Sequence, residues 1–199
     1  AQQVNRNILL PYTWTEGNAG FMSQLYVYAR SLVRSAAERS KPNNERLREY
    51  TDAALPRIER SLAADTPVYP DLEEVKLSFS LERMREWLGP DDQLVRSVLG
   101  SDSPDSRAAS LVSGTKLADP KVRLALYEGG QAAIDASDDP MIKLAKQVDP
   151  VARSVRKQYE DEVEGPTRSG QEAIAKARFA TRGTGTYPDA PFPLRPAYG

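Results

Sequence analysis

Four times between residues 103 and 150 a capping residue stands directly before a proline: Ser103-Pro104, Asp119-Pro120, Asp139-Pro140 and Asp149-Pro150. Proline fixes φ near its helical value and lacks an N–H, so it suits the first helical turn and disrupts any later one. The side chain before it accepts from N–H groups that the first turn leaves open. An apolar-periodic run follows these pairs, as in "KVRLALYEGGQAAIDAS", "MIKLAKQV" and "VARSVRKQYEDEVEG". The pattern predicts short helices joined by tight corners. It excludes one long coiled coil, because no heptad persists.

The N-terminal half carries the same period. Phe21, Leu25, Tyr28, Leu32, Val33 and Ala36 share a helix face in residues 20–40, with Arg30, Arg34, Glu38 and Arg39 assigned to its wet side. "KPNN" ends that helix and offers Asn43 or Asn44 as the next N-cap. Leu47, Tyr50, Ala54, Ile58 and Leu62 mark a second apolar face, which Pro56 should kink or split. "TPVYP" reads as a loop. Leu72, Val75, Phe79, Met84, Trp87 and Leu88 form a third face, stopped at Gly89-Pro90. A last alanine-rich helix, "QEAIAKARFATRG", turns Ile174, Ala177 and Phe179 toward the core and stops at Gly183. No β-alternation appears before residue 185, so the expected class is all-α, an irregular bundle of about eight or nine helices.

Composition removes whole classes of function. The 199 residues hold no Cys and no His. Disulfides, thiolate nucleophiles and Cys- or His-ligated metals are therefore out, and a Ser-His-Asp triad cannot be assembled from this chain. Catalysis would have to rest on carboxylates, Lys or Tyr. Lys and Arg number 27 against 28 Asp and Glu, a balance that argues against a nucleic-acid partner. No window approaches the ~18 consecutive apolar residues of a membrane span. "AQQVNRNILLPYTW" has neither the basic start nor the apolar stretch of a signal peptide.

The remaining motifs read as structure. Carboxylates cluster in "GPDD" (89–92), "SDDP" (137–140) and "YEDEVE" (159–164), without the spacing of a Ca²⁺ loop; capping and solvated faces account for them. Tyr12, Trp14, Tyr26 and Tyr28 have no basic stripe beside them and are assigned to the core rather than to a base-stacking surface. No pair of acids is placed for a carboxylate-based hydrolase. No catalytic, cofactor-binding or metal-ligating residue is assigned, and no cofactor.

The C-terminal "GTGTYPDAPFPLRPAYG", residues 183–199, breaks the helical pattern. Pro188, Pro191, Pro193 and Pro196 forbid a helix, while Tyr187, Phe192, Leu194 and Tyr198 are apolar enough to be buried. It is no phosphate loop and no clean polyproline ligand. A lone extended segment needs partners for its backbone, which points to another chain or further sequence.

The string "YPDAPFP" followed by "LRPAYG" resembles a stretch of the S46 serine peptidases, of the dipeptidyl-peptidase 7/11 type, in which the chain returns from a helical domain to a β-barrel. Tyr187, Pro188, Asp189, Ala190, Phe192, Leu194, Arg195, Tyr198 and Gly199 match as they stand, and Pro193 and Pro196 depart from the pattern. "KPNNERLREY", "TPVYPDLEEVKLSFSL", "ASDDPMIKLA" and "EAIAKARFATRGTGTYPDA" resemble the same family in the same order. The resemblance implies a helical cap domain at 1–182 and an extended return segment at 183–199. The parent would be a periplasmic or secreted serine exopeptidase, whose His, Asp and Ser lie in a β-barrel outside this chain and whose substrates are peptides with free N-termini. The fragment should fold alone and hydrolyse nothing. The competing reading is a self-contained helical protein-binding module with a proline-rich tail.

Overall fold

The computed structural model describes residues 2–16 and 20–182, with side chains for 8–16 and 20–181. Every regular element among them is helical. In order these are α1 (Gln2–Thr15), α2 (Gln24–Arg39), α3 (Leu55–Ala63), α4 (Pro70–Leu88), α5 (Gln93–Leu99), α6 (Pro104–Gly114), α7 (Pro120–Ala136), α8 (Pro140–Tyr159) and α9 (Gly165–Arg182), with short 3-10 turns at Asn43–Glu45 and Arg48–Tyr50 and a π-helical turn at Glu160–Glu164. The all-α class is as expected. The proline-rich segment 183–199 lies outside the described residues.

The chain divides into two units, Ala1–Tyr159 and Glu160–Gly199. In the first, α2 packs against α7 and α8, α1 lies along α8, α3 rests on α7, and α4 packs against α6. The α2 stripe is buried as predicted, from Phe21 and Leu25 through Leu32 to Ala36. Phe21 enters this core at a positive φ of 46°, a conformation that costs a non-glycine residue about 1–3 kcal/mol. Its ring is 2% exposed and stacks on Tyr26 at 4.4 Å, contacts that offset the strain. Trp14, Tyr26 and Tyr28 are core residues, and the half-buried Tyr12 stacks on Tyr159 at 3.9 Å.

Three of the four cap–proline pairs start helices. Ser103 accepts from the Ser106 N–H, Asp119 from Lys121 N–H, and Asp139 from Met141 and Ile142 N–H. Asp92 of "GPDD" caps α5 in the same way. Asp149-Pro150 does not: Pro150 lies inside α8, and the Asp149 carboxylate accepts from Arg34 and Arg153 instead. Pro56 sits in the first turn of α3, so the predicted second helix is split, its first half forming the two 3-10 turns. Asn43 caps no helix; its Oδ1 accepts from Asp52 N–H across the turn.

Other departures concern faces. Arg34 and Glu38 are not on a wet side but 2% and 0% exposed. Helix α4 buries Leu77, Leu81 and Met84, while Leu72, Val75, Phe79 and Trp87 are exposed. In α9, Ile174, Ala177 and Phe179 are exposed rather than directed into a core. α1, interrupted by Pro11, was not expected at all. Gly89 ends α4 at φ 93°, as its position predicts, and Gly130 breaks α7 at φ 59°, where an L side chain would be strained.

Candidate functional site

Among the described residues of the first unit, three groupings of polar side chains bear on function: two are buried and one lines a cleft. The first is a chain of alternating charges in the core. Arg34 of α2 donates from Nε to Asp149 at 2.7 Å and from its two Nη atoms to Glu16. Arg153 joins Asp149, at 2.6 Å, to Glu38, which also accepts from Lys41 Nζ and Leu47 N–H, each at 2.7 Å. Burial alone would raise the Glu38 carboxyl, but the hydrogen bonds from Lys41, Leu47 and Arg153 outweigh it and hold the group below the usual carboxylate range. Burial likewise opposes the charge on Arg34, and Glu16 and Asp149 raise its pKa in spite of it. A general acid needs a carboxyl whose pKa is raised toward neutrality. Here every carboxylate is an acceptor locked between cations, an arrangement that ties α1, α2 and α8 together and offers no proton.

The second place is Arg123, 0% exposed on α7. Its guanidinium donates to the backbone oxygens of Leu62, Ala64, Leu117 and Ala118 and lies over the Tyr28 ring, 4.1 Å from its centroid. All the geometry serves the backbone: it fastens the end of α3 to the start of α7.

The third is a cleft of about 340 Å³ between α2, the Arg48–Tyr50 turn and α3. Arg30 and Ser31 come from α2, Tyr50 from the turn, and Arg57, Ile58 and Ser61 from α3. Arg30 uses Nη1 to donate to the Thr15 carbonyl at 3.3 Å. Arg57 makes no side-chain ion pair or hydrogen bond among the described residues. Glu49, the acid on the rim, is taken up by Arg156 through both its oxygens. Burial in the cleft wall pushes the Tyr50 phenol up to about 12, against the opposing pull of Arg34 and Arg30.

The sequence-flagged carboxylates do not converge. Asp139 and Asp92 are caps, Asp138 meets Lys143 at the surface, and Glu164, just before α9, pairs with Arg168 four residues on. Among the described residues no group of three or more acids is arranged to hold a metal ion, and no helix is long and apolar enough to cross a membrane. The cleft was not legible in advance. Tyr50, Ile58 and Leu62 were read as one apolar face and Arg30 as a wet residue, while Arg57 carried no signal.

A proton-shuttling centre is thus absent from the described geometry, and what this helical body belongs to is decided by comparison with known families. The family model described as Peptidase S46 matches the chain over residues 1–199. The chain belongs to the peptidase S46 family. The match covers every element described above, all of which are helical.

Proposed function

We propose that this S46 chain is the helical cap over the active site of a dipeptidyl aminopeptidase, non-catalytic by itself, that admits peptides by their free N-termini. The observation that carries the reading is the match of a His-free, helical chain to a peptidase family along its full length. The chemistry then falls to a β-barrel domain bearing the His, Asp and Ser, for which residues 1–182 form the cap and 183–199 the return segment. A periplasmic or secreted location goes with that parent. Exposed apolar side chains support a covered face on α4, where Leu72, Val75 and Phe79 are 52%, 66% and 53% exposed at helical spacing. Monomeric proteins rarely leave contiguous patches of that kind in water.

A cap sets register by geometry, closing the cleft to internal segments and excluding water when substrate is in place. Two assays test the proposal. Purified 1–199 should release no dipeptide from a chromogenic dipeptidyl substrate, and release would refute it. Deleting the segment from the parent enzyme should let N-terminally blocked peptides be cleaved; strict dipeptide release by the deleted enzyme would equally refute it.

A further inference from the structure

We infer that the cleft between α2 and α3 is a binding site for a peptide carboxylate. Three features of the lining converge on that ligand. The charge is unbalanced: Arg30 and Arg57 face a cleft whose own acid, Glu49, is already paired with Arg156. The next acid on α3, Glu59, does not line the cleft and accepts from the Tyr127 hydroxyl at 3.0 Å, so it does not neutralise Arg57 either. A guanidinium with free donors is the group best matched to a carboxylate, which it holds through two parallel N–H bonds.

The second feature is the wall opposite the charges. The half-buried Ile58, backed by the buried Leu62 and Tyr50, gives the apolar side, while Ser31 and Ser61 add hydroxyls. A cleft of about 340 Å³ stands at the small end of ligand sites, enough for one or two residues rather than a long chain. An inorganic anion would leave the apolar wall unused; a carboxylate on a hydrocarbon stem uses both sides. The third is rigidity. Leu62 is 1% exposed and its carbonyl is pinned by Arg123, so the α3 wall is held at fixed distance from α7.

A carboxylate with such a stem comes from a peptide's C-terminus or from a Glu side chain. The experiment separates the two on the polypeptide of residues 1–199. Calorimetry and amide-shift NMR would be run with Ala-Ala-Leu, with its C-terminal amide, with N-acetyl-Ala-Glu-Leu-amide and with inorganic phosphate. The expected result is binding of at least one carboxylate peptide, at least tenfold weaker binding of the Ala-Ala-Leu amide and of phosphate, and shifts at Ser31, Arg57 and Ser61. Binding by the free C-terminus assigns the site to chain ends; binding by the Glu peptide assigns it to acidic side chains. Arg57 is exposed and makes no side-chain bond among the described residues, so Arg57→Gln should leave the thermal midpoint unchanged and weaken the peptide five- to tenfold, as should raising the salt. Absence of binding at millimolar peptide, equal binding of acid and amide, binding of phosphate as tight as peptide, or an unaffected Arg57→Gln variant would each overturn the assignment.

Discussion

Arg123→Met isolates a buried cation that has backbone rather than carboxylate partners. Wild-type Arg123 donates at 2.7 Å to Leu62 O and Leu117 O, at 2.8 Å to Ala118 O and at 2.6 Å to Ala64 O. The bonds to Leu62 and Leu117 are buried, and those to Ala64 and Ala118 are only partly so. Methionine fills most of the volume but donates nothing. Water can replace the guanidinium at the two partly buried oxygens, which leaves two buried acceptors orphaned. Each orphan costs about 1–3 kcal/mol, so the loss should be about 4 kcal/mol. In a chain of this size that corresponds to a fall of roughly 8–16 °C in Tm. Urea unfolding followed by circular dichroism measures it directly, with the slope checked for constancy. Arg123→Lys keeps the charge without the fork and should lose about half as much. A loss below about 1 kcal/mol for Arg123→Met would refute the reasoning, because the carbonyls would then need no donor and something else would hold α3 to α7.

Other residues give sharper contrasts. Glu38 has its pKa lowered in the folded state, so its contribution is complete above the ordinary value of about 4.3 and is lost as pH falls through the folded value. Glu38→Gln should therefore lose about 3 kcal/mol at pH 7 and show a shallower decline in acid than wild type, read from urea midpoints across pH. Glu73 of α4 accepts from Ser23 Oγ at 2.8 Å and from the Gln24 N–H at the start of α2. Glu73→Ala should lower stability by about 2 kcal/mol, whereas its exposed neighbour Glu74→Ala should change it by less than about 0.5 kcal/mol. Asp139 caps α8 through two N–H groups and also binds Thr115 and Lys116, while Asp119 accepts only from Lys121 N–H. Asp139→Ala should cost about 2 kcal/mol and Asp119→Ala about 1 kcal/mol in urea unfolding, and equal losses would contradict the added worth of the Thr115 and Lys116 bonds.

The fold class was legible because helical spacing and cap–proline pairs act locally. Ser103, Asp119 and Asp139 each need only the next three residues to do their work. Asp149-Pro150 has the same sequence signature and failed because its carboxylate is claimed by Arg34, 115 positions away. The same distance hid the burial of Glu38, whose partner Arg153 is also 115 positions off. Charges read as wet until a long-range partner takes them inside. On helix α4 the expected face held at Met84 and failed at Leu72, Val75, Phe79 and Trp87 for another reason. The helix is apolar on more than one side, so Leu72, Val75 and Phe79 offered as good a stripe as the Leu77, Leu81 and Met84 that α6 and its neighbours bury. The cleft could not be read at all, since Arg30 and Arg57 lie on different helices and come to line it only through packing.

The central claim is that this helical S46 chain works as part of a larger peptidase. The most direct measurement is the mass of the native polypeptide in its source cells, detected with antibody raised against residues 1–199. The account predicts a species several-fold heavier than 22.0 kDa. A native species at 22.0 kDa would contradict it and leave a free-standing helical protein.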